Sequence, residues 1–169
     1  MSTWSLDTSH STLGFSVRHL MISKVRGRFA TGTATLDDVA RTVRAEIDVA
    51  SIDTRDEKRD AHLRSADFFD AESHPRLTFE STGAVGDGAS FTLNGRLTIR
   101  GTTRGVSLEV SSLGRAKDPW GNEKAVFEAK THISRQEFGM TWNAGLEAGG
   151  VLVSDRVDIE LELQFVKAA

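Results

Sequence analysis

The alternation of apolar and polar residues is the feature that most constrains the fold of this chain. In segment 43–49 every second residue is apolar, and the residues between them are Arg44, Glu46 and Asp48. A period of two is typical of a strand with one buried face. The sequence predicts about eight long strands of this kind, which start near residues 13, 25, 43, 77, 91, 106, 127 and 157.

Strands with one apolar face must bury those faces against each other, either in two packed sheets or in a closed barrel. Several of the predicted strands reach ten residues, as in segment 91–100. The apolar parity also slips between Phe29 and Ala34, which predicts a bulge around Ala30–Thr33. Long and bulged strands favour a coiled, closed sheet. We therefore predict an all-β protein, an eight-stranded antiparallel barrel.

One long segment, 51–81, interrupts the strands. Residues 55–66 contain no Gly, Pro or β-branched residue, which predicts a short helical insert. Arg59 and His62 share the face of Leu63, so two ionisable side chains are expected where the helix packs on the barrel. They are interpreted either as a structural polar cluster or as part of a binding site.

Both ends of this predicted helix carry local signals. Thr54 and Glu57 have the spacing of a capping box at its start. At its end Phe68 and Phe69 are adjacent aromatic residues, and Pro75 precedes the next strand. A second irregular insert, at 134–150, carries Phe138, Met140 and Trp142 among glycines.

The residues with inward parity bear on whether the barrel is hollow. An eight-stranded barrel is either filled by side chains or holds one small ligand. The chain has no Tyr, and several inward positions are small, which leaves room for a ligand or fits the taper of a packed barrel. These small inward residues are Gly27, Ala45, Gly95, Ala125 and Ala129.

Composition excludes several classes of protein. The 169 residues are 38% hydrophobic and 27% charged, with a net charge of −3, as expected for one globular domain spanning 1–169 and not for a nucleic-acid binder. No apolar run is long enough to cross a membrane, and the N-terminus lacks the pattern of a secretory signal, so a cytoplasmic location is expected. There is no cysteine, which excludes disulfides and thiolate sites.

The ionisable residues give little support for catalysis. None of the five histidines has the HxH or HExxH spacing of a metal site, and no GxSxG nucleophile motif is present. We expect no metal, no cofactor and no catalytic residue. The enzyme alternative is a hydrolase that uses Asp60 and His62 on a small amphiphilic substrate.

Several short motifs lie in order along the whole chain. They are Trp4-x-Leu6-Asp7, His10-Ser11, Phe15-x-Val17-x-His19, Gly27-x-Phe29, Ser51-Ile52-Asp53-Thr54, Arg59-Asp60-x-His62-Leu63, Phe68-Phe69-Asp70, Pro75, Phe79, Gly95-x-Leu97-Thr98-Ile99-x-Gly101-x-Thr103, Arg135-x-x-Phe138-Gly139 and Val153-x-Asp155.

Together these motifs resemble the YceI-like family of lipocalin-fold, polyisoprenoid-binding proteins. The resemblance implies a lipocalin-like barrel with a long isoprenoid chain in its pore, and it implies no catalytic residues. The chain departs from the family in lacking an export signal and in carrying His74 where a tyrosine is usual.

The resulting functional prediction is non-enzymatic binding, carriage or sequestration of a long-chain apolar lipid, with a filled barrel serving stress or partner binding as another alternative. A homodimer formed through strand edges at the barrel openings is also considered. The predicted ligand-binding residues inside the barrel are Phe15, Val17, Phe29, Leu77, Phe79, Leu93, Leu97 and Phe127. Those predicted to form its mouth are Phe68, Phe69, Phe138, Met140 and Trp142.

Overall fold

A computed structural model describes residues 2–144 and 152–168 of the protein. Part of the predicted insert at 134–150 lies outside the described residues. Short 3₁₀ helices span Thr8–His10, Val49–Ser51 and Arg135–Phe138. The other elements are β1 (Thr3–Leu6), β2 (Thr12–His19), β3 (Ser23–Phe29), β4 (Gly32–Asp37), β5 (Thr42–Asp48), β6 (Ile52–Asp53), α1 (Glu57–Arg64), β7 (Arg76–Val85), β8 (Ser90–Ile99), β9 (Thr102–Lys117), β10 (Glu123–Ser134) and β11 (Val153–Lys167).

Eight strands close into a ring, in the order β1-β4-β5-β7-β8-β9-β10-β11. Strand β1 completes the ring because it pairs on one side with β4 and on the other with β11. At this seam Trp4 lies opposite Leu36 on β4 and opposite Lys167 on β11. Every pairing in the ring is antiparallel. The predicted eight-stranded antiparallel barrel with a short helix is confirmed.

The other three strands lengthen one side of the wall. Strand β2 continues along β11 where β1 stops, β3 pairs with β2, and β6 pairs with β3. The pairs β1/β2, β3/β4 and β5/β6 are thus halves of three interrupted strands. Between β3 and β4 only Ala30 and Thr31 lie outside the strands, within the predicted bulge. Phe29 and Ala34 both line the interior despite their odd spacing.

The barrel has two different ends. The turn end carries the turns at residues 38–41, 86–89 and 118–122. The helix end carries α1, the turn at 20–22 and the 3₁₀ helix at 135–138. The helix end therefore contains the first irregular insert and the start of the second, including its 3₁₀ helix at 135–138.

The start of the helix differs from the prediction. Asp56, not Thr54, is the N-cap, and its carboxylate accepts hydrogen bonds from the backbone of Lys58 and Arg59. Arg55 has a positive φ of 64°, which places it outside the helix. The helix is consequently shorter than the predicted 55–66.

Candidate functional site

The barrel encloses a cavity of about 570 Å³. That volume lies within the range of about 300–1,000 Å³ typical of small-molecule sites. Its wall is formed by the inward residues of the strands and is almost entirely apolar. The filled-barrel alternative does not match this interior, because a continuous void runs between the core clusters of the two ends.

The inward glycines do not create this space, which corrects one of the arguments from sequence. A Cβ on Gly95 would lie 2.4 Å from the ring of Phe79, and a Cβ on Gly27 would lie 2.4 Å from the ring of Phe15. Each aromatic ring lies across a glycine of a neighbouring strand and already occupies the volume. Ala45, Ala125 and Ala129 are small residues that do line the cavity, and Ala129 belongs to a core cluster with Phe127 packed against it.

Most of the predicted ligand-binding residues line the cavity. Phe138 and Trp142 do not: Phe138 is packed in the core at the helix end, and Trp142 packs its ring on His62. Contact of a ligand with the others stays a prediction. The predicted residues in the wall are Phe15, Val17, Phe29, Phe68, Phe69, Leu77, Phe79, Leu93, Leu97, Phe127 and Met140.

The residues of the predicted mouth lie at the helix end, where Phe68, Phe138 and Met140 are buried. That they form a mouth stays a prediction. The exposed residues of the described cavity wall are at the turn end, in the turns between β4 and β5 and between β7 and β8 and at Arg115 on β9. One of them is Arg41, whose Nη2 donates to the carbonyl of Gly86 at 3.1 Å.

The turn end supplies four charged residues to the wall that the sequence did not single out. Asp38, Arg41 and Asp87 lie in turns. Arg115 lies on β9 beyond a register shift at Val126 on β10, which reverses the parity of the strand and brings this residue to the inner side. Two positive and two negative side chains therefore surround the open part of the cavity.

Arg135 is the one charged residue of the described wall at the helix end, and it is 3% exposed. Its Nε donates to the carbonyl of Ser154 at 2.9 Å, and its Nη2 donates to Val153 at 3.1 Å. Its Nη1 donates to the carbonyls of Met140 at 2.7 Å and Trp142 at 2.9 Å. Burial lowers the pKa of this guanidinium. Arg135 thus ties the segment after the 3₁₀ helix to the start of β11.

The residues of the hydrolase alternative are not paired with each other. Asp60 Oδ1 accepts hydrogen bonds from the backbone N of Thr54 at 2.9 Å and from its Oγ1 at 2.5 Å. His62 Nε2 lies 2.8 Å from Asp67 Oδ2. Asp60 and His62 are therefore not the hydrogen-bonded acid and base that this hydrolase alternative needs.

The polar cluster around the helix is built on Thr54. Besides the bonds to Asp60, Thr54 accepts hydrogen bonds from Arg59, whose Nε reaches Oγ1 at 2.8 Å and whose Nη2 reaches the carbonyl at 2.6 Å. Neither Arg59 nor His62 lines the cavity, whereas Leu63 does. These contacts support the structural interpretation of Arg59 and His62, and they show that Asp60 is the buried charged residue of the helix.

We expect the change Asp60→Ala to lower the free energy of unfolding by about 2–3 kcal/mol, because it leaves the buried donors of Thr54 without their charged acceptor. Thermal or urea unfolding measures the effect. The matched control is Glu57→Ala, at an exposed position of the same helix. Equal, small changes in both variants would show that the cluster does not hold the helix.

A metal-binding cluster and a membrane-spanning helix are both absent from the residues that the structure describes. In residues 2–144 and 152–168, no group of three or more His, Asp or Glu side chains is arranged to hold a metal ion. Over the same ranges, none of the helices has the length and apolar character required to span a membrane. The expectation that the protein needs no metal stays a prediction.

The fold and its cavity define a class of protein, the closed antiparallel barrels with an apolar interior. A family model described as the YceI-like domain matches residues 4–165. The chain therefore belongs to the YceI-like family, as the motifs in its sequence indicated.

Individual relatives agree with this assignment. Protein YceI of Escherichia coli O157:H7 is 38% identical over 141 residues, covering 80% of this chain and 74% of the relative. A Campylobacter jejuni YceI protein of known structure has a TM-score of 0.78 and 30% identity, with 90% of each chain covered. A domain of Saccharophagus degradans, described as a polyisoprenoid-binding domain, shares the fold at a TM-score of 0.75 and 16% identity, with 98% of each chain covered.

Proposed function

We propose that this protein binds a long-chain apolar lipid, a polyisoprenoid, in the barrel and carries or sequesters it without changing it chemically. The observation that carries the proposal is the cavity of about 570 Å³ with its apolar wall. Membership of the YceI-like family and the described ligand class of the Saccharophagus degradans domain support the same reading.

The energetics of such a site depend on the apolar wall. Burial of a hydrocarbon chain contributes about 0.8 kcal/mol for each CH₂ removed from water. A chain that extends from the turn end past Ala129 toward Phe69 would be in contact with apolar side chains over its length. Few polar contacts are then needed for affinity, and those that exist would fix the orientation of the ligand.

Native mass spectrometry of protein purified without detergent tests the proposal. We expect a species heavier than the bare chain, and organic extraction of the same sample should release an isoprenoid of matching mass. Protein stripped of lipid should regain the additional mass when it is incubated with an isoprenoid alcohol such as geranylgeraniol.

The contrary result would be a bare chain that takes up no isoprenoid after stripping. Turnover of ester substrates by the same preparation would support the hydrolase alternative instead. A variant with Asp60→Asn and His62→Gln would then serve as the control for genuine catalysis by these two residues.

A cytoplasmic location and a homodimer also stay predictions. Fractionation of cells that express the full-length protein tests the location, and light scattering of the purified protein tests the oligomeric state.

A further inference from the structure

Two residues of the cavity wall each have a polar atom that is buried without a hydrogen-bond partner in the described part of the chain. One is the indole Nε1 of Trp4, whose side chain is fully buried, and the other is the carboxylate Oδ1 of Asp38. Buried polar groups in folded proteins are almost always hydrogen-bonded, so each exception calls for a partner.

Both residues belong to the turn end of the cavity. Trp4 on β1 lies opposite Leu36 on β4, and Asp38 follows the end of that strand. The guanidinium of Arg115 adjoins both, with its Cζ 5.0 Å from the centroid of the Trp4 ring and its Nη2 3.8 Å from Asp38 Oδ2. An unpaired donor and an unpaired acceptor are therefore present in the same region of the wall.

The two atoms define the chemistry of the group that they would bind. The indole N–H can only donate a hydrogen bond, and Oδ1 of an ionised Asp38 can only accept one. A hydroxyl group satisfies both, since it accepts through its oxygen and donates through its hydrogen.

The charged residues at this end of the cavity also favour a hydroxyl over an anionic head group. Arg41 and Arg115 are balanced by Asp38 and Asp87 in the wall. A phosphate or carboxylate placed against Oδ1 of Asp38 would meet a like charge, and such repulsive contacts select against a ligand.

We propose that Trp4 and Asp38 form a polar subsite for the hydroxyl group of a chain-like alcohol, whose apolar chain extends toward the helix end. The inference rests on the proposed function, because the apolar chain is the part that fills the cavity. It adds the class of the head group and the direction in which the ligand lies.

Three probes with the same fifteen-carbon skeleton test the subsite: farnesol, the hydrocarbon farnesene and farnesyl phosphate. Their affinities for lipid-free protein are measured by displacement of the fluorescent apolar dye N-phenyl-1-naphthylamine. We expect Trp4→Phe and Asp38→Ala each to weaken farnesol binding roughly fivefold or more, the effect of one net hydrogen bond, and to leave farnesene binding unchanged.

Matched controls exist for both changes. Trp120→Phe alters a tryptophan that is 83% exposed, and Glu109→Ala removes an exposed carboxylate of β9 that does not line the cavity. Neither should affect the selectivity for farnesol. Thermal melting shows whether each variant is folded. If Trp4→Phe does not fold, Asp38→Ala alone tests the subsite.

Each other outcome overturns the subsite. Unchanged farnesol affinity in both variants would mean that buried water or a protein group satisfies the two atoms. Equal losses for farnesol and farnesene would mean that the changes deform the wall. Tighter binding of farnesyl phosphate than of farnesol would replace the hydroxyl with an anion. Wild-type protein that binds none of the three probes would refute the proposed function itself.

Discussion

Replacement of Arg135 by methionine is expected to destabilise the protein by about 3–5 kcal/mol, the usual cost of breaking a buried charged network. The change removes four hydrogen bonds to backbone carbonyls that lie within the barrel wall or beside it. For a protein of this size we expect the melting temperature to fall by about 10 °C, since 1 kcal/mol corresponds to about 2–4 °C.

Arg156→Met is the matched control for this effect. Arg156 lies on β11 opposite Ser134, the residue before Arg135. Its side chain is 64% exposed and, among the described residues, bonds only to Asp158 at 2.9 Å. An exposed ion pair of this kind contributes at most about 1 kcal/mol. If Arg135→Met melted within 2 °C of that control, roughly the effect of 1 kcal/mol or less, Arg135 would not be the tie that we describe.

Substitution of Ala129 by leucine is expected to abolish lipid uptake while the barrel stays folded. Ala129 is buried on β10 and lines the middle of the cavity, packed among Leu93, Val110 and Leu161. A leucine here would extend into the space that a ligand chain needs. Native mass spectrometry measures the lipid content, and thermal melting measures the stability.

The same substitution at Ala116, which is exposed on β9, is the control and should change neither quantity. The stability of lipid-free Ala129→Leu is the decisive measurement. In a filled core the larger side chain would overpack and cost about 1–3 kcal/mol, whereas in a cavity it has room. A clear loss of stability together with retained lipid would contradict the cavity as the binding site.

The strands could be predicted because a half-buried strand shows its period directly in the sequence. In segment 43–49 the alternation identifies both the strand and its inner face, and the structure forms β5 there. Strand β1 was missed because Trp4 and Leu6 provide only two apolar positions, too few to establish a period. Its importance comes from pairing with β4 and β11, which local sequence does not encode.

The space beside Gly95, which the ring of Phe79 occupies, shows a second limit of prediction from sequence. The ring of Phe79 reaches this glycine from β7 because Phe79 lies opposite Leu97, two residues farther along β8. That contact depends on the register between the strands. Parity alone identifies Gly95 as small and inward, and it cannot tell which neighbour covers it.

The charged residues of the turn end could not be predicted from the sequence, for similar reasons. Simple alternation from Val106 assigns Arg115 to the outside, and the bulge near Leu113 reverses that assignment. Asp38 lies in a turn, where no period exists. Asp60 was considered only as a residue of the hydrolase alternative, and its burial could not be predicted because it depends on the path of Thr54 beside it.

The seam between β1 and β11 also affects how a nascent chain reaches this fold. The pair Trp4 and Lys167 joins segments that are synthesised first and last within the barrel. Strands up to β10 can pair with their earlier neighbours as they emerge, including β1 with β4 and β2 with β3. The ring closes only when β11 is made, because β11 pairs with both β1 and β10. Contacts over such long sequence separations slow folding, so the apolar inner faces stay open to water, and to other chains, until that final strand is in place.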